Sequence, residues 1–205
     1  MRIGVLGIQG DYANHIHCLE RLGISYLDVR TIAALQDVSG LIIPGGESTT
    51  LLKFFGYAPW FEALRRFAAA KPIFGTCAGS ILMARSVKNP VQDCLDLMPI
   101  GIERNGYGRQ QDSFVANITQ HSLGSGPLPG VFIRAPIIRD IGPDVEVLAR
   151  LAGHPVCVRY KNRLAATFHP ELTEDLRIHT YFADMVGTHG MTAATDAETA
   201  GDTFS

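Results

Sequence analysis

Cys77 stands in the stretch Gly75-Thr76-Cys77-Ala78-Gly79-Ser80, directly after the apolar run Pro72-Ile73-Phe74 and before Ile81-Leu82-Met83-Ala84. A nucleophile held on a tight strand-to-helix turn needs very small neighbours, because the backbone there packs closely on adjacent elements. Gly75, Ala78 and Gly79 meet that need, and the G-x-C-x-G spacing is that of a nucleophile elbow with cysteine in place of serine. At the start of the following helix, unpaired N–H groups favour the thiolate, and the Ala78 N–H points to where an oxyanion forms during acyl transfer. The plainer alternative is an inert thiol in tight helix–sheet packing.

A thiolate nucleophile needs a proton carrier, and of the seven histidines one has a suitable setting. His169 lies in "TFHPELT", where Pro170 biases it towards extended geometry, so that His169 and Glu171 are expected on the same side of the chain. In that reading His169 moves the proton, and the Glu171 carboxylate fixes its tautomer and steadies its charge. His15 and His17 are two apart on an expected helix and make a poor metal pair. His121, His154, His179 and His189 have no partner at recognisable spacing and are assigned exposed or structural roles; neither a metal site nor a cofactor is expected.

A second glycine-rich turn, "LIIPGGEST" at residues 41–49, ends another buried run and should open beside Cys77. Gly45 and Gly46 permit close approach of a ligand, and the Gly46 N–H is the candidate second oxyanion donor. The alternative is an ordinary strand–helix turn with Ser48 as its cap.

The elements that must position these residues alternate along the first half of the chain. Apolar runs at 2–8, 25–29, 40–43 and 72–74 are separated by helical spacing at 11–22, 49–55 and 60–70, which predicts a parallel α/β sheet with helices on both faces. Short strand-like runs at 100–103, 113–118, 131–133, 145–148 and 156–160 predict an antiparallel extension or edge. A last buried strand is expected at 164–168 and a last helix at 174–186. The folded domain is expected to span 1–187, with 188–205 a frayed tail that has little to bury.

Composition narrows the classes. With 205 residues, 46 % hydrophobic and 19 % charged, the chain is long enough for one sizeable core. A formal charge of −2 with no Lys/Arg run argues against nucleic acid, and no membrane-length apolar stretch or leader is apparent, so a cytoplasmic location is expected. Cys18, Cys77, Cys94 and Cys157 lie too far apart for a zinc motif or a disulfide scaffold.

The elbow cysteine, the His-x-Glu pair and the Pro-Gly-Gly loop, in this order, resemble the class I or triad glutamine amidotransferases, whose fold is a three-layer, flavodoxin-like α/β sandwich. The segments "IGVLGIQGDYANHI", "PGGESTT", "FGTCAG", "ERNGYGRQ", "DSF", "GVFIRAP" and "FHPELTED" narrow the resemblance to the glutaminase subunits of two-component pyridoxal 5'-phosphate synthases. It implies hydrolysis of L-glutamine to glutamate and ammonia by Cys77, His169 and Glu171. The ammonia would pass to a synthase subunit that builds the vitamer from a pentose phosphate and a triose phosphate. It further implies that Gly46, Glu47, Ser48, Arg104, Ile133 and Arg134 contact glutamine, and that Gln9 and Asn14 face the partner. Ser80, and the extra glycine and second glutamine of "RNGYGRQQ", depart from the family pattern. Another triad amidotransferase, a γ-glutamyl hydrolase, or a non-catalytic binding protein on the same fold are the alternative readings.

Overall fold

The computed structural model describes residues 1–205 except 9, 56–57, 105, 107–112 and 202–205, with residues 58 and 191–201 described as backbone only. The first half runs β1 (Ile3–Leu6), α1 (Tyr12–Arg21), β2 (Tyr26–Val29), a 3-10 turn (Ala33–Asp37), β3 (Gly40–Ile43), α2 (Ser48–Phe55), α3 (Ala58–Ala70), β4 (Ile73–Thr76) and α4 (Ala78–Met83). The second half adds β5 (Ala84–Lys88), β6 (Met98–Glu103), β7 (Ser113–Ile118), β8 (Gln120–His121), β9 (Leu128–Ile133), β10 (Ile137–Ile141), β11 (Glu146–Leu151), β12 (His154–Tyr160) and β13 (Arg163–Ala166). It closes with a 3-10 turn (Pro170–Leu172) and α5 (Arg177–Gly201).

The central sheet has eight strands in the order β2-β1-β3-β4-β13-β12-β11-β8. The first five are parallel, and β12, β11 and β8 join antiparallel at one edge. Successive residues of a strand face opposite sides of a sheet, and the core divides accordingly. Leu41 and Ile43 pack with Leu51, Leu64 and Leu82 of α2, α3 and α4, whereas Ile42 packs on the other face with Leu19 of α1 and Phe182 of α5. Helices thus cover both faces, which is why β3 and β4 are buried along their whole length.

The middle of the chain departs from a simple antiparallel extension. Only β8, β11 and β12 extend the main sheet; β10-β6-β5 and β7-β9 form separate small sheets, and β5 pairs parallel to β6. β5, "ARSVK", follows α4 without a turn residue, and β10 is interrupted by a register shift between Ile138 and Asp140, so neither carries a clean alternating pattern. The last helix starts later than its apolar residues suggest, where the Asp175 carboxylate accepts the Arg177 N–H at 2.9 Å, and its backbone continues to Gly201. No helix among the described residues is long and apolar enough to cross a membrane.

In a parallel sheet of this order the chain passes from β1 to β2 on one side and then returns past β1 to β3 on the other. A crevice therefore opens beyond the carboxyl ends of β1 and β3. The loops after β1, β3, β4 and β13 carry Asp11, Gly46, Cys77 and His169 to that crevice.

Candidate active site

Cys77 follows β4 with φ 45° and ψ −104°, a left-handed conformation that costs a non-glycine residue of order 1–3 kcal/mol and persists only where the surroundings enforce it. Two contacts do so: the Cys77 N–H donates to the Ala166 carbonyl of β13 at 2.9 Å, and Ile81 N–H donates to the Cys77 carbonyl at 3.1 Å. Close packing completes the elbow. A Cβ on Gly79 would lie 2.1 Å from the Ile43 carbonyl oxygen, so only glycine lets α4 approach β3 this closely. Ser80, the departure from the family pattern, is fully buried, and its hydroxyl donates to the Cys77 carbonyl at 2.7 Å, which satisfies the hydroxyl locally.

His169 is tied to β9 through its N–H, which donates to the Val131 carbonyl at 2.8 Å. The expectation of extended chain through Glu171 needs correction. His169 itself is extended, but Pro170 opens a 3-10 turn that contains Glu171. The pair still meets, with His169 Nδ1 2.8 Å from Glu171 Oε1, because the turn folds the carboxylate back under the ring. With Nδ1 taken, Nε2 is the nitrogen left for the thiol side. His169 and Glu171 are 3 % and 5 % exposed and Cys77 is 6 % exposed, so the three groups interact away from bulk water.

Burial works against a charge on His169, yet the Cys77 sulfur and the Glu171 carboxylate beside it push its pKa up to about 10. Burial likewise opposes ionisation of Glu171. His15 first, and then His169, hold its carboxyl well below the usual carboxylate range. An imidazole held beside a sulfur by a carboxylate is the arrangement of a cysteine nucleophile and its proton carrier.

In front of Cys77 lies a cavity of about 210 Å³, small beside the roughly 300–1,000 Å³ pockets that take drug-sized ligands and in scale with an amino acid. Cys77, Ile81 and His169 line it together with Gly46, Glu47, Ser48, Arg104, Ile133, Arg134 and Asp11. The expected contact residues therefore converge, although the chain separates Glu47 from Arg134 by most of the fold. Gly45 is required at the join: a Cβ there would lie 2.4 Å from His169 Cε1 and 3.3 Å from Cys77 Cβ. Gly46 has φ 124°, and Ala78 is the first residue of α4, where an N–H has no helical carbonyl to reach. Asn14 lies on α1, whereas Gln9 and residues 105 and 107–112 of the "RNGYGRQQD" stretch lie outside the described residues.

Three features had no sequence signal. Gln92, in the irregular segment before β6, accepts hydrogen bonds at its Oε1 from Ser48 Oγ at 2.9 Å and from Arg104 Nη1 at 3.0 Å. Arg104 Nη2 also lies 3.5 Å from Glu47 Oε1, so Gln92 ties Ser48 and Arg104 together beside Glu47. Asp11 Oδ2 lies 3.7 Å from His169 Nδ1. His15, read from sequence only as a poor metal partner for His17, and His179, assigned an exposed or structural role, are fully buried, and His15 reaches the Glu171 carboxylate. Among the described residues, Asp11, His169 and Glu171 are the one set of metal-ligating side chains whose donor atoms lie within 4.8 Å of one another. The His169–Glu171 bond already occupies the nitrogen a metal would take.

The family model for the SNO glutamine amidotransferases matches residues 5–188. The chain is 51 % identical over 186 residues to the pyridoxal 5'-phosphate synthase subunit PdxT of Koribacter versatilis, covering 91 % of this chain and 96 % of that one. It is 46 % identical to the Thermotoga maritima subunit of the same name, covering 91 % of this chain and 100 % of that one. A crystal structure of a glutamine amidotransferase superposes with a TM-score of 0.84 at 44 % identity, covering 90 % of this chain and 98 % of that one. A glutamine amidotransferase crystal structure from Thermotoga maritima shares the fold alone, with a TM-score of 0.57 at 13 % identity over 92 % of this chain and 84 % of that one. With that coverage and an elbow cysteine facing a His–Glu pair across an amino-acid-sized cavity, the chain belongs to the SNO glutamine amidotransferase family.

Proposed function

We propose that this protein is the glutaminase subunit of a pyridoxal 5'-phosphate synthase, with residues 1–187 as its amidotransferase domain. The observation that carries the reading is the convergence of Cys77 and the His169–Glu171 pair on one small cavity walled by Glu47, Arg104 and Arg134. An Arg guanidinium suits the α-carboxylate of glutamine, and the Glu47 carboxylate, which Thr49, Arg104 and Arg134 keep ionised against its partial burial, suits the α-ammonium. Bound between them, the substrate extends its side-chain amide towards Cys77.

The Cys77 thiolate attacks the amide carbon, and the oxygen takes up negative charge towards the N–H groups of Gly46 and Ala78. His169 gives its proton to the nitrogen, the C–N bond breaks, and ammonia leaves a glutamyl thioester on Cys77. His169, now neutral, removes a proton from water; the hydroxide adds to the thioester carbon, and glutamate leaves as the thiolate and imidazolium are restored. Glu171 holds the ring in one tautomer throughout. The relatives, named as pyridoxal 5'-phosphate synthase subunits, support delivery of the ammonia to a synthase subunit; a cytoplasmic complex without nucleic acid or membrane is the reading drawn from the charge and hydropathy pattern of the sequence.

The test is ammonia release from glutamine by the chain mixed with the synthase subunit. Cys77→Ala is expected to abolish release while the fold and partner binding persist, and His169→Asn to do the same. Full activity in Cys77→Ala would refute the assignment.

A further inference from the structure

The triad carboxylate carries a second imidazole on the side away from the substrate cavity. His15, on α1, is fully buried, with Nε2 3.4 Å from Glu171 Oε1 and 3.1 Å from Thr76 Oγ1. Its Nδ1 lies 3.0 Å from Nε2 of His179, which is also fully buried on α5. Both rings pack against Phe74, with centroids at 6.3 Å and 6.2 Å. Two titratable rings in an apolar layer are costly to bury, and these are bonded to each other and to the catalytic turn.

A count of hydrogens fixes the direction of the chain of bonds. Burial holds His179 neutral, with its pKa pushed down to about 3, so its ring carries one N–H. His179 Nδ1 has no partner among the described residues, and a buried N–H left there would cost about 1–3 kcal/mol. The hydrogen therefore sits on Nε2 and is donated to His15 Nδ1. His15 in turn carries its hydrogen on Nε2, the nitrogen that faces Glu171 Oε1 and Thr76 Oγ1. Glu171 Oε1 thus accepts from His169 at 2.8 Å on one side and faces His15 Nε2 at 3.4 Å on the other, while Glu171 Oε2 is buried with no partner among the described residues. Both contacts that hold this carboxylate run through one oxygen, and without His15 only the catalytic histidine would fix its orientation.

We infer that His15, with its tautomer set by His179, is a positioning residue for the catalytic carboxylate, and that the chain of contacts behind His169 runs through Glu171 to His15 and His179 rather than ending at Glu171. The inference rests on the Cys77–His169–Glu171 reading above. The ionisable groups around this chain of contacts are Glu171 on the 3-10 turn and His169 just before it, His179 on α5, Cys18 on α1, and Asp11 ahead of α1; Arg21 and Glu174 lie beyond Cys18. Loss of the His15 N–H removes a favourable contact to the ionised Glu171, so the carboxylate is protonated at higher pH and the acid limb of activity moves up.

The experiment compares His15→Leu, His15→Gln and His179→Leu in the full chain. It reads glutamine turnover per active site, with active sites counted by iodoacetamide alkylation of Cys77, and the pH dependence of the alkylation rate. His15→Leu is expected to lower kcat by about 10- to 100-fold, the scale of a misplaced catalytic group, with KM for glutamine within about twofold. The acid limb of alkylation should move to higher pH. His15→Gln restores an N–H at the Nε2 position and is expected to recover most of kcat. His179→Leu, which fits the apolar surroundings of Phe74 and Phe182, should give a smaller loss and a smaller shift of the same sign, and it serves as the test if His15→Leu does not fold. Unchanged kcat per site and an unmoved acid limb in these variants would overturn the inference, as would equal loss in both His15 variants with no movement of the limb. Ammonia release surviving in Cys77→Ala, run alongside, would overturn the triad reading itself.

Discussion

At the scale of single residues, the site is a set of buried charges that stabilise one another and therefore tie stability to pH. The folded-state pKa of Glu171 lies below its ordinary 4.5, so Glu171 contributes stability that is present above pH 4.5 and is lost as pH falls below it. That of His169 is raised from 6.5 to about 10, so its contribution is complete below pH 6.5 and is lost as pH rises through about 10. His179 is depressed from 6.5 to about 3, and its neutral burial becomes a liability as pH falls below 6.5. These three groups together place the best stability of the site near pH 6.5. Urea unfolding followed across pH should show a decline on both sides. In Glu171→Gln the part of the acid decline below about pH 4.5 should flatten, and in His169→Asn the alkaline decline should flatten. An unaltered pH profile in both variants would contradict these assignments.

Among the elements, the strands deliver the chemistry to one crevice, while the connections between them decide how well it is held. Much of this was legible in sequence. The apolar runs at 40–43 and 72–74 are followed by Pro44-Gly45-Gly46 and by Gly75-Thr76-Cys77, and His169 precedes a proline after the last buried strand. What could not be read depends on neighbours far apart in the chain. His15 and His179 are 164 positions apart and meet only because α1 and α5 cover the same face of the sheet. β5 and β10 owe their pairing to β6 rather than to any alternation of their own. Gln92 sits in a segment without regular structure, and its function comes from the two elements it joins, Ser48 at the start of α2 and Arg104 just past β6. Gln92→Leu is expected to raise KM for glutamine about tenfold, the loss of about 1.4 kcal/mol that one charge-assisted bond can supply, while kcat stays within about threefold. Steady-state kinetics would check this, and an unchanged KM would remove Gln92 from the binding apparatus.

For the whole molecule, the question is how the free glutaminase keeps from spending glutamine when no acceptor for ammonia is present. The segment after β1 lies directly on the oxyanion loop: Gly10 has φ 70°, and a Cβ there would sit 2.0 Å from the Gly45 carbonyl oxygen. The Gly45–Gly46 peptide, whose N–H is the proposed second oxyanion donor, is therefore in contact with the stretch that leads into Asp11 and Asn14, the side on which the partner is expected. Pressure on that stretch reaches the peptide through direct packing, with no long pathway required. Since removal of one oxyanion donor typically costs about 10²–10³ in kcat, docking that only aligns this N–H would change turnover on that scale. The chain alone is accordingly expected to hydrolyse glutamine slowly, and addition of the synthase subunit to raise kcat by about tenfold or more with a smaller effect on KM. Gly10→Ala, which must displace the Gly45 carbonyl, should blunt the stimulation while leaving alkylation of Cys77 intact. Equal rates with and without the partner would show that the oxyanion site is complete in the free chain.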